Sequence, residues 1–287
     1  MSRLLSAGFT KLFKSSVFYV CMAFMAGFPA FVTLVRYTDH LRYPDYFVEP
    51  LDGFLNAGLQ LIGIVIAVLA SLFIGREHSD GAIRNKLIIG HTRVSIYLSN
   101  LIVCMAGSFI LQGIYLLTTY TLSRTFFGPF SITNADIVKM QLLGLCVTAA
   151  YSAIFTLIAM LIHQRSAASV TALIIAMVIF IIGMTVYQGL ASEKFTNSPE
   201  DSESVDIAVS KDNEIIADEN EYPEKSLTGT KRSIYLFLND YLPSCQADQL
   251  AECRVPEHAV RFIAYDLDTI IVTVILGRLI FQHQDLK

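Results

Sequence analysis

Apolar residues gather along this chain in six long runs, at residues 16–35, 56–74, 96–122, 140–162, 167–188 and 266–281. A helix rises about 1.5 Å per residue, so roughly 20 apolar residues cover the ~30 Å of hydrocarbon in a bilayer. Backbone polar groups in lipid must be satisfied within the segment, so the pattern predicts an all-α membrane protein with six transmembrane helices. Ahead of the first run, Leu4, Leu5, Phe9, Leu12 and Phe13 fall at near-helical spacing among Arg3, Lys11 and Lys14. That is the pattern of an amphipathic helix lying in the interface. A secretory signal peptide also starts basic and continues apolar, but this run is about 20 residues long and no A-x-A-like site closes it.

The chain between the fifth and sixth runs differs in character. Residues 191–232 are acidic and poor in large apolar side chains, with alternation at Val205, Ile207 and Val209 and at Ile215 and Ile216. This suffices for a short hairpin but not for a core of its own. A solvated loop and a small extracellular cap packed on the membrane domain both fit. From Ser233 the chain reads SIYLFLNDYLPSCQADQL, apolar for too few residues to span, which predicts a re-entrant or interfacial element. Three regions follow: a membrane domain over 1–190, the acidic insertion over 191–232, and the re-entrant element with the last span over 233–287.

Composition sharpens this picture. Of the 287 residues, 54% are hydrophobic and 16% charged, where a soluble domain carries about 25% charged residues. The mean hydropathy is +0.53. The net charge of −4 is concentrated in the acidic insertion, so nucleic acid is not an expected partner. With the N-terminus inside, Arg3, Lys11, Lys14, Arg76, Arg84, Lys86, Arg93, Arg165, Arg278 and Lys287 fall on the cytoplasmic side, against Arg36, Arg42, Arg124 and Lys139 outside. The positive-inside rule then places both termini in the cytoplasm.

Candidate chemistry is sparse. Neither G-x-x-x-x-G-K-[ST] nor G-x-G-x-x-G occurs, no His/Cys cluster has zinc spacing, and no span carries H-E-x-x-H, paired-Asp or Ser/His patterns. No cofactor and no catalytic role are expected in this chain. Asp266 and Asp268 lie at the outer end of the last span, either solvated at the interface or lining an outer exit. Cys245 and Cys253, separated by seven residues, both fall outside the spans. On an oxidising outer face they are expected to form a disulfide. A continuous helix between them would oppose it, holding their Cα atoms roughly 12 Å apart, beyond the bridging reach of about 7 Å.

The most informative stretch is GREHSDGAIRNKLIIGHTRVSIYLSN, residues 75–100. It sets Arg76, Glu77, His78, Asp80, Arg84, Lys86, His91 and Arg93 around an apolar stripe of Ile83, Leu87 and Ile88. This predicts a short surface helix bracketed by Gly81 and Gly90. A helix anchored on anionic lipid would share that pattern.

This stretch resembles the loop before the third span in type-2 permeases of ATP-binding-cassette (ABC) exporters, often E-Y-S-D-G-T-I-R-N-K-L-I-x-G-x-[ST]-R. Glu77, Ser79, Asp80, Gly81, Ile83, Arg84, Asn85, Lys86, Leu87, Ile88, Gly90, Thr92 and Arg93 match, while His78 and Ala82 depart from the usual Tyr and Thr. The resemblance extends to KLFKSSVFYV, to F-L-x-D-Y-L-P-S-x-Q from Phe237, and to F-x-x-x-D-L-K at the end of the chain. It implies a six-helix permease of a bacterial plasma membrane, paired with a second permease, identical or related. Two ATPase subunits would bind ATP and Mg2+ on the cytoplasmic side. Glu77, Asp80, Ile83, Arg84, Asn85, Lys86, Leu87 and Arg93 would then form the ATPase-coupling helix, and Pro243 would mark the turn of the re-entrant pair. The implied cargo is an amphipathic or hydrophobic peptide, with lipid, drug and polysaccharide as alternatives. The rival function is a gradient-driven transporter or channel without an ATPase.

Overall fold

A computed structural model describes residues 1–42, 54–196, 230–252, 256 and 258–283. Ten helices and no strand occur among them: α1 (Ser2–Phe13), α2 (Ser16–Arg42), α3 (Gly58–Ser79), α4 (Ala82–Ile88), α5 (Arg93–Phe126), α6 (Asn134–Leu161), α7 (Arg165–Thr196), α8 (Thr230–Tyr241), α9 (Pro243–Ala251) and α10 (Ala259–His283). Among the described residues, α2, α3, α5, α6 and α7 are long and apolar enough to cross a membrane. The sixth expected span, α10, has 25 residues, but Arg261, Asp266, Asp268 and Arg278 divide its apolar run. It therefore falls short of the same standard. The hairpin alternation at 205–216 lies outside the described residues, as does most of the acidic insertion. Helix α7 continues to Thr196 and α8 begins at Thr230, so helix occupies both edges of that insertion.

Helix α3 forms the centre of the bundle, packed against α6 and α7 and touched by α2, α5 and α9. Ile62, Ile66, Leu69 and Ile74 along it are fully buried. Helix α10 packs on α6, and α2 on α5. Lipid competes equally for apolar surface, so such helices associate through close packing and interhelical hydrogen bonds. The α5–α6 seam uses both: Thr148 donates to Gln112 Oε1 at 2.7 Å, and Ser152 donates to Ser108 Oγ at 2.9 Å. Phe24 and Phe31 on α2, Ile174 and Ile181 on α7, and Ile271 and Ile275 on α10 face outward, as lipid-covered side chains do.

Helix α1 lies along α5 and buries Leu4, Gly8 and Leu12, the inner face of the predicted amphipathic pattern. At the opposite end of the bundle, Leu242 alone separates α8 from α9, and Pro243 takes the first turn of α9, where its missing N–H costs nothing. Helix α9 wedges among α3, α6 and α7, whereas α8 has no buried residue.

The α5–α10 contact depends on a missing side chain. A Cβ on Gly277 would collide with the ring of Tyr97, fully buried, whose hydroxyl donates to the Thr273 carbonyl at 3.2 Å. Gly277→Val is expected to lower stability by about 1–3 kcal/mol through overpacking. Thermal unfolding in detergent, followed by circular dichroism, reads this directly. An unchanged midpoint would mean that α10 shifts freely away from α5.

Candidate functional site

The expected surface helix is α4, at the end of the bundle where α1 also lies. Two glycines set its entry and exit. Gly81 caps it with φ 65 and Gly90 follows it with φ 95, left-handed conformations that cost a residue with a Cβ roughly 1–2 kcal/mol. Thr92 then caps α5, accepting from the Ser95 N–H.

The two faces of α4 divide differently from the predicted stripe. Ile83 is buried and Leu87 packs partly buried beside it. Ile88 does not join them: it is 75% exposed, and Ile89 after it 76%. The reason is helical geometry, since one residue past Leu87 is a turn of about 100° toward the opposite face. The inward position beside Ile83 and Leu87 belongs to Lys86. Arg84 and Asn85 share the exposed face with Ile88.

Lys86 turns inward because Glu77 awaits it. Glu77, on the last turn of α3, is only 3% exposed. Lys86 Nζ donates to both of its carboxylate oxygens at 2.8 Å, Lys11 Nζ from α1 to Oε1 at 3.2 Å, and Asn100 Nδ2 from α5 to Oε2 at 3.0 Å. Charge-assisted bonds of this kind are the strong ones, and burying a carboxylate requires them. One acid thus ties α1, α3, α4 and α5 together. Sequence reasoning placed Glu77 and Lys86 in the coupling surface and did not single out Asn100 or the Lys11 contact.

The other expected site residues are dispersed. Asp80 is exposed after the end of α3. Arg93 Nη1 donates to the Phe281 carbonyl at 2.9 Å, near the C-terminal end of α10, where a cation is favoured. His78, one of the two departures from the family pattern, meets His163 edge to face at 5.2 Å. At the far end Asp266 and Asp268 part company. Asp266 is buried, with neither carboxylate oxygen hydrogen-bonded among the described residues, while exposed Asp268 accepts from the Tyr241 hydroxyl at 3.2 Å. Two positions apart on a helix are about 200° apart, so the two acids do not line one surface. Cys245 is buried in α9, its thiol directed at the Gly183 carbonyl at 3.9 Å. Its expected partner Cys253 lies outside the described residues.

A bundle of long apolar helices, with a short charged helix pinned under one end and a short helix pair wedged into the other, is the architecture of a multi-pass membrane protein. Residues 4–183 match the family model described as ABC-2 family transporter protein, and the chain belongs to that family. No curated protein matches the chain as a relative.

Proposed function

We propose that this chain is the permease subunit of an ATP-driven exporter, with α4 as the coupling helix seated on a separate ATPase that binds ATP and Mg2+. The observation that carries this reading is the outward face of α4. Arg84, Asn85, Ile88 and Ile89 project from a short helix whose inner face is held by the Glu77 network. Two large apolar side chains flanked by a cation, on an otherwise charged loop, suit the centre of a protein interface better than water. In this reading α10 is the sixth span and both termini are cytoplasmic in a bacterial plasma membrane. A second permease, identical or related, completes the path, and the cargo is an amphipathic or hydrophobic peptide.

The test is co-reconstitution with the ATPase in liposomes. The permease alone is expected to hydrolyse no ATP. Arg84→Glu and Ile88→Asp are expected to weaken association or transport-linked hydrolysis on the order of tenfold each, the equivalent of ~1.4 kcal/mol at an interface. Membrane insertion should be unchanged, because neither side chain supports the fold. Hydrolysis by the pure permease, or full coupling in both variants, would refute the assignment.

A further inference from the structure

A cleft of ≈ 350 Å³ opens between the end of α1 and the end of α3, on the flank of the Glu77 network. Lys11, Lys14 and Arg76 line it together with Phe73, Glu77 and Asp80. Its volume falls within the range of small-ligand sites, about 300–1,000 Å³. Glu77 is already engaged by Lys86, Asn100 and Lys11. Lys14 and Arg76 are exposed and make no ion pair among the described residues. Two uncommitted cations, Lys14 and Arg76, therefore face one uncommitted acid, Asp80, and the cleft favours an anion.

Its depth identifies the class of anion. Arg76 is the first charged residue after the uncharged stretch of α3, residues 58–75, and Lys14 is the last charge before the apolar run of α2. Both cations thus mark where hydrocarbon gives way to headgroups, at the same end of the bundle. Beside them, Phe73 supplies an apolar wall. Phosphate groups of a bilayer occupy that level, and basic residues there attract anionic lipid.

We propose that the cleft between α1 and α3 binds the headgroup phosphate of an anionic phospholipid, held by Lys14 and Arg76 with Lys11 at its edge. The lipid would lie as a wedge against the support of α4, adding a negative charge where the protein has an excess of positive ones.

Native mass spectrometry of the full chain, titrated with phosphatidylglycerol in an uncharged detergent, tests this. Lys14→Gln with Arg76→Gln is expected to weaken binding about fivefold per cation removed. Lys14→Arg with Arg76→Lys should keep it, which separates loss of charge from loss of fold. Arg124→Gln with Lys139→Gln, at the opposite end of the bundle, should leave it unchanged, and phosphatidylcholine should not compete. Competition by millimolar inorganic phosphate would assign the site to free phosphate and overturn the lipid. Equal binding by the double Gln variant would overturn the site altogether. So would unchanged lipid binding accompanied by lost association with an ATPase, since the cations would then serve a protein partner.

Discussion

Glu77→Ala is expected to cost about 3–5 kcal/mol of stability, the usual penalty for removing one partner of a buried ion pair. Lys86 would remain 14% exposed, facing a cavity in place of a carboxylate, while Lys11, 46% exposed, can turn to water. Asn100 would lose its strongest acceptor. Glu77→Met with Lys86→Met should be far milder, because replacing both ions by apolar side chains leaves no charge stranded. Denaturant unfolding in detergent micelles compares the two. If the single variant loses under about 1 kcal/mol, the network behaves as a surface pair and does not anchor α4.

Gln60→Leu is expected to release α9 from the bundle without dismantling the rest. Gln60 Nε2 donates to Asp248 Oδ1 at 2.8 Å, and Asp248 is 8% exposed. Its carboxyl would lose the only side-chain bond made to it among the described residues, an unmet buried group costing ~2 kcal/mol. The neighbouring bond from Asn56 Nδ2 to the Leu250 carbonyl, 3.0 Å, would be left to hold that end of the helix. Cys245 reports the outcome, because its side chain is fully buried in the same helix. A loss of ~2 kcal/mol raises the open population, and hence the rate of thiol labelling, on the order of 30-fold. Labelling as slow as in the native chain would show that apolar packing alone seats α9.

Much of this architecture was legible in the order of residues. The apolar runs located the long helices, the alternation of Leu4, Leu12 and the basic residues located α1, and Gly81 and Gly90 bracketed α4 where both adopt positive φ. The helix ends extend beyond the runs because polar residues continue a helix into the headgroup layer without adding apolar signal. The faces of α4 were also readable: Ile83, Lys86 and Leu87 follow the i, i+3, i+4 rule, and only the apolarity of Ile88 suggested otherwise. The same period separates Asp266 from Asp268. What lay beyond reach was the meeting of Lys11, Glu77 and Asn100. These residues are far apart in sequence, and only the packing of α1 on α5 and of α5 on α3 brings them to one carboxylate.

The bond from Arg93 to the Phe281 carbonyl gives α4 a second mooring. Lys86, in the last turn of α4, fastens it to α3, and Arg93, the first residue of α5, fastens the chain that follows to α10. Helices α3 and α10 both pack against α6. A load applied to the outward face of α4 therefore reaches the bundle at two separate points. Two reactions offset from one line of force produce a torque.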